Sequence, residues 1–458
     1  MKLINYIFGL ILFITPVISC ASDQIIAGTL SYSNSSSQPI IIEKNTDGSW
    51  IMNHQISELP ADLTRGMLSS SSCSNNTCIA AGYYQKKTDD LAPLILISQN
   101  KGKTWVFVKQ INGIPFYVNE VNIFNVHCDN KICMAVGQTK THAADDKKKD
   151  LPLLLISKDN GVSWVYSNGG LVNLFSKTGG RLSSVTHSGT TWITSGYYNY
   201  YPFPWVRYYQ AQLLMVSQDS GNSWKEINLN GNPIIPPALG ILEDLKCSGN
   251  LCYIVGENGT NIPLIARSND NGANWMIIKN ISGIPSSVEF ADLEKISCAN
   301  DSCFASGSDF NGSTKPFLFM VSNDKGLSWS QINNIQNLPS DFERGEVKNI
   351  SCTNNKTCGA IGWWINSRVN PQFFPMLLIS QDAGQSWVFQ NMSNIINDFS
   401  SASFYAINCA DDTCMIIGKM KNSPLILTSV DKGESWKSIT NIDGLPNHKD
   451  CELVTFVN

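Results

Sequence analysis

A chain of 458 residues would by length alone divide into about three domains. The formal net charge is −4, and apart from the run Lys147–Lys149 inside an acidic loop the lysines are scattered. The electrostatic footprint of a nucleic-acid binder is therefore absent.

The stretch MKLINYIFGLILFITPVISC has the charged start, apolar middle and small-residue end of a secretion signal, so residues 1–20 are set apart from the fold. Val17-Ile18-Ser19-Cys20 has the form of a lipobox, in which Cys20 would be acylated; ordinary cleavage near Ser19 or Ala21 is the alternative. An uncleaved anchor fits less well, because the apolar stretch is short and broken by Asn5 and Pro16. Each reading puts residues 22–458 outside the cytosol, secreted, periplasmic or on the outer membrane, with the membrane reached only through the lipid.

From there the chain is periodic. EKNTDGSW ends at Trp50, and SQNKGKTW, SKDNGVSW, SQDSGNSW, SNDNGANW, SNDKGLSW, SQDAGQSW and SVDKGESW end at Trp105, Trp164, Trp224, Trp275, Trp329, Trp387 and Trp436. A period of roughly fifty to sixty residues is that of a propeller or solenoid, so one array replaces several domains. Six repeats carry a cysteine pair followed by Gly: Cys73/Cys78, Cys128/Cys133, Cys247/Cys252, Cys298/Cys303, Cys352/Cys358 and Cys409/Cys414. In an exported chain such pairs read as local disulfides across a hairpin, where facing Cα atoms stand about 5.5 Å apart. Closing so short a loop adds little stability, so the expected role is to hold the hairpin end against proteases and fraying. Zinc is disfavoured because His is scarce and no second pair lies near; no metal or cofactor is expected.

The repeat around Cys298 shows the unit: strand ADLEKIS, hairpin, strand CFASG, loop, strand PFLFMVS, the SNDKGLSW turn and a strand from Trp329. Four strands per repeat and no helical period predict an all-β fold, a single β-propeller. The ends are complementary. Gln24–Leu30, Pro39–Glu43 and Trp50 supply second, third and fourth strands with no first, and Glu452–Asn458 is a first strand with none after it. Pairing them closes eight four-stranded blades; seven is the alternative.

Cysteine hairpins and SxDxGxSW turns then share one end, and the loops between second and third strands share the other with the Pro crossovers. The latter are aromatic: Tyr83 and Tyr84; Tyr197, Tyr198, Tyr200, Tyr201, Trp205 and Arg207; Trp363, Trp364 and Arg368. These are the candidate ligand-binding residues, opposed by the reading that some rings only cap the blades. One repeat has His187 and Trp192 in place of its cysteines, His187 reading as a hairpin-end side chain without a partner. Cys451, at the start of the closing strand, has no partner in reach.

The SxDxGxSW turns resemble the Asp-box, or BNR, repeats of sialidase-like propellers, over essentially the whole mature chain. The box residues themselves have structural roles. The resemblance implies either a non-catalytic scaffold, here a monomer binding glycan or protein through its aromatic loops, or a glycoside hydrolase. For the hydrolase, Arg181, Asp292 and Glu346 stand at one level, six positions before the cysteine, near the mouth of the central channel. Sialidases of this kind use a Tyr nucleophile and an Arg cluster, for which Arg207 and Arg368 are available, but their Arg-Ile-Pro motif is absent and they have six blades.

Overall fold

The structure, a computed structural model, describes residues 25–31, 36–45, 48–53, 56–115, 117–141, 149–167, 179–201, 209–229, 238–260, 262–279, 281–283, 291–299, 301–309, 317–353, 356–367, 369–396, 398–421, 423–439, 441–445 and 451–456. Among the described residues helix is confined to one 3-10 turn, Phe399–Ser401, and strands dominate. The strands pair antiparallel in sequence order, four to a group, as in Gly180–Ser188, Thr191–Tyr200, Tyr209–Ser217 and Lys225–Glu226. The result is a β-propeller. Apolar residues of neighbouring sheets interleave between them, for example Ile79 and Ile97 with Ile123, Leu155 and Trp164.

Successive sheets are joined at both margins. At the hub, side chains of one first strand take backbone N–H groups of the next: Ser70 accepts from Val126 at 3.2 Å, Asn125 from Val185 at 3.1 Å, Asp244 from Ile296 at 3.1 Å and Asn349 from Ile407 at 3.2 Å. At the rim, the chain leaving one outer strand pairs parallel with the next, as Ile281–Ser282 does with Trp329–Gln331 and Ile335–Gln336 with Trp387–Phe389. The first and last described strands belong to one sheet. Cys451–Phe456 pairs with Ile25–Ser31, Leu30 opposite Cys451, and Asp443 exchanges 2.8 Å backbone bonds with Trp50 and Met52.

Each box is a small hydrogen-bonded device. Ser157 donates to one oxygen of Asp159 at 2.7 Å and accepts the Gly161 N–H at 2.8 Å, while the Ser163 N–H and hydroxyl donate to the two Asp159 oxygens at 3.0 and 2.5 Å. The Trp164 indole donates to the Gly161 carbonyl at 2.9 Å and is fully buried. Where Asn100 replaces the acid, its amide nitrogen donates to Thr104 at 2.8 Å, reversing that bond and keeping the turn. The box glycine sits at positive φ against the preceding sheet. A Cβ there would fall 2.4 Å from Ile79 at Gly161, 2.2 Å from Ile193 at Gly272 and 2.1 Å from Phe304 at Gly384.

All six expected disulfides are present: Cys73–Cys78, Cys128–Cys133, Cys247–Cys252, Cys298–Cys303, Cys352–Cys358 and Cys409–Cys414. Two details differ from the sequence reading. The Cα atoms stand 4.1 Å apart, closer than assumed, because each bridge spans a close-facing cross-strand pair. The bridges sit at the hairpin ends as expected, but they do more than hold those ends. The second cysteine of every pair, namely Cys78, Cys133, Cys252, Cys303, Cys358 and Cys414, is buried and packs in the apolar layer between sheets. The physical reason is strand parity: that cysteine opens the second strand with its side chain on the face turned to a neighbouring sheet, so its sulfur serves as core as well as cross-link.

The disulfides fit an oxidising compartment outside the cytosol. No helix among the described residues is long and apolar enough to cross a membrane. Cys20 and the rest of the signal region lie outside the described residues.

The glycine contact predicts a paired result in thermal melts. Gly384→Ala (φ +81°) and Gly48→Ala (φ +88°) incur the same left-handed backbone strain, but only the former meets a buried ring, Gly48 having nothing within 4 Å. Gly384→Ala should cost roughly 1–3 kcal/mol more; equal losses would refute the interlock.

Candidate functional site

The first strands are irregular at one repeated point. Each slips register by one residue, between Leu182 and Ser184, Leu242 and Asp244, Leu293 and Lys295, and Val347 and Asn349 in four consecutive sheets. The second strand carries glycine opposite the slip because the bulged backbone comes too close for a side chain: a Cβ at Gly307 or Gly362 would lie 1.8 Å from the carbonyl oxygen of Asp292 or Glu346. Such bulges re-aim side chains. Here they turn out Glu243, Glu294 and Lys348, which join Arg181, Asp292 and Glu346 at the channel.

The resulting cluster is crowded with acid. Arg181 donates to both oxygens of Glu243 at 2.8 and 3.0 Å, its guanidinium 5.1 Å from the Tyr197 ring and 5.8 Å from that of Phe124. Ser308 contacts Glu294 at 2.7 Å and Glu346, and Lys348 contacts Glu294 at 3.1 Å and Glu346. A hydroxyl has one proton, so Ser308 donates to a single carboxylate. Four carboxyl groups face two paired cations, and the surplus proton affinity falls on Asp292, which accepts the Ser308 N–H while its Oδ1 is buried without a partner. Burial first, then Glu294 and Glu243, push Asp292 up to about 7. Burial raises Glu294 as well, but the Ser308 hydroxyl and Lys348 outweigh it and hold Glu294 below the usual range. Glu243 is raised, burial outweighing its Arg181 contact.

Of the three residues singled out for catalysis, Arg181 and Asp292 reach this cluster as partly exposed groups, whereas Glu346 is 5 % exposed and held by Ser308 and Lys348. The aromatic candidates split by strand parity. Tyr84, Tyr198 and Trp364 are buried between sheets, Trp364 stacked between Phe342 and Phe374 at 5.5 and 4.6 Å. Tyr83, Tyr197, Tyr200 and Trp363 are half-buried, and Tyr201 is exposed. Trp205, Arg207 and Arg368 lie outside the described residues. Tyr209 and Phe373, on the same two aromatic loops, are exposed, Phe373 lying 5.3 Å from Trp363, and exposed Tyr117, which sequence reasoning did not single out, joins that end.

His187 is not without a partner. At the disulfide end its Nδ1 lies 2.8 Å from Nε2 of His127 and its Nε2 3.6 Å from Asp129, beside Trp192. The two imidazoles come from neighbouring first strands, a proximity that only the stacking of sheets creates.

No protein-family model matches the chain, and no curated protein matches it. Among solved structures it is similar to YCF48 bound to D1 peptide, at 17 % identity over 69 % of this chain and 80 % of that one, with a TM-score of 0.40. It is also similar to YCF48 from Cyanidioschyzon merolae, at 11 % identity over 81 % and 96 % of the two chains and a TM-score of 0.43. A third is the GH74 xyloglucanase from Xanthomonas campestris, at 10 % identity over 91 % and 93 % and a TM-score of 0.28.

A native carboxyl held near 7 against 3.8 for the free group binds more protons folded than unfolded, so its contribution to stability is complete below about pH 3.8 and lost as pH rises through about 7. Asp292→Asn should therefore melt higher than the parent at pH 8 and alike at pH 4. A variant that melts lower at pH 8 would contradict the acid surplus.

Proposed function

We propose that the chain is a closed ring of eight four-stranded blades, residues 22–458, exported and either released or tethered through an acylated Cys20. Two links support closure: Cys451–Phe456 beside Ile25–Ser31 at the hub, and Asp443 beside Trp50 and Met52 at the rim. The ring is a monomeric binding module that captures glycan or protein on the end opposite its disulfides. The observation that carries this reading is the set of exposed rings there, Tyr117, Tyr201, Tyr209 and Phe373, on the same end as the charged cluster of Arg181, Glu243 and Asp292. Exposed aromatic faces stack on sugars and anchor protein partners. Charged groups beside them fix orientation.

Glycan-array binding and pull-downs test it. Tyr201→Ala, Tyr209→Ala and Phe373→Ala should each weaken capture at least about tenfold with the melting temperature unchanged. Trp364→Ala is unsuitable, since its ring is core. Undiminished capture by the triple variant would refute this face.

Glycoside hydrolysis is a second reading, favoured by Asp292, a carboxyl protonated near neutrality beside the ionised Glu294. That divergence is the pattern of an acid with a carboxylate partner. A sialidase-type Tyr nucleophile is opposed by Tyr197, whose phenol burial pushes up rather than down. Hydrolysis of aryl glycosides by the parent and its loss in Asp292→Asn would support the reading; an inert parent removes it.

A further inference from the structure

The disulfide end of the channel opens into a cavity of about 790 Å³, walled by the first strands of seven sheets. Its size falls within the range of about 300–1,000 Å³ typical of small-molecule sites. Its charge does not follow the chain. The protein as a whole is at −4, yet Lys246 and Lys295 line this cavity with exposed side chains. Neither makes an ion pair among the described residues, whereas the third lining lysine, Lys348, is taken by Glu294 and Glu346.

The one lining carboxylate, Asp244, is buried and already committed. Its Oδ1 accepts the Leu245 N–H at 3.0 Å and its Oδ2 the Ile296 N–H at 3.1 Å. Glu243, which feels Lys295 from outside the cavity, is held in both oxygens by Arg181. The two lysines therefore set the charge of a concave wall, which concentrates their field. His127, also on the wall, registers that field. Burial, then His187 and Lys246, hold its imidazole at about 3, so it is neutral at physiological pH and leaves the lysines as the charge-bearing groups.

We propose that this cavity is a binding site for a small organic dianion, of the phosphate-monoester kind, held between Lys246 and Lys295. Two ammonium groups match a doubly charged oxyanion in charge and in number of donors. The walls supply neutral polar residues for the organic part, among them Ser69, Ser297 and Thr186. The cavity reaches the acid cluster through Lys348, but the proposal rests on Lys246 and Lys295 and does not depend on the reading given to the aromatic end.

Isothermal titration of the full chain with inorganic phosphate, glucose 6-phosphate and glucose tests the proposal. Both anions should bind and glucose should not, and glucose 6-phosphate should bind more tightly than phosphate because its ring fills the cavity. The double variant Lys246→Gln/Lys295→Gln should weaken both anions at least about tenfold, as expected when charge-assisted hydrogen bonds are lost. Lys101→Gln/Lys225→Gln, on exposed positions elsewhere, should titrate like the parent. Because both cavity lysines are exposed, unchanged melting of the double variant is expected and separates lost binding from lost fold. Equal affinity in the parent and the Lys246/Lys295 variant, binding of glucose as strong as that of its phosphate, or no binding of either anion would overturn the assignment.

Discussion

The structure depends on seven places where a glycine at positive φ lies close against a side chain of the neighbouring sheet. In each good box the serine and the acid, or Asn100, fold the turn, the turn puts glycine in the left-handed region, and that glycine lies against a side chain of the preceding sheet. Ile25, Ile79, Ile156, Ile193, Tyr253, Phe304 and Ile379 receive these contacts in chain order. A local hydrogen-bond pattern thereby becomes the rule for stacking one sheet on the next. The carboxylates are consumed in doing so, which is why the most repeated acids in the chain, such as Asp219 and Asp431, held at about 2 chiefly by the serine four residues on, are not the chemically poised ones.

The poised groups come from a second set of glycines. Gly256, Gly307 and Gly362 admit the bulged first strands, and the bulges turn Glu243, Glu294 and Lys348 out of the ladder. A regular strand would hold only one residue per pleat at that level. The slip adds another, so acids accumulate faster than cations and Asp292 retains its proton. Regular geometry builds the propeller, and its one repeated defect builds the channel chemistry.

The repeat, the cysteine pairs and the four-strand unit were legible because each is a local pattern with a physical cause in turn or hairpin geometry. That Cys78 and its counterparts Cys133, Cys252, Cys303, Cys358 and Cys414 would be core was not, since it depends on which face of the second strand a neighbouring sheet covers. The channel cluster was half legible. Counting six positions back from the cysteine finds Arg181, Asp292 and Glu346 but passes over the bulge residues, although the glycine four places after the second cysteine was a signal for them. The aromatic pairs Tyr83-Tyr84, Tyr197-Tyr198 and Trp363-Trp364 had to split between core and surface, since neighbours on a strand face opposite ways. Which member is buried again depends on packing between sheets. The His127–His187 contact was illegible for the same reason: it joins residues sixty positions apart through sheet stacking, not through any hairpin.

Closure of the array is tested most directly by hydrogen exchange read strand by strand on the intact chain. The amides of Ile25–Ser31, flanked by Ser37–Lys44 and Cys451–Phe456, should be protected as strongly as those of an interior second strand such as Cys358–Ile365. Fast exchange along the Cys451 side of Ile25–Ser31, with Cys358–Ile365 still protected, would show an open edge and contradict the ring.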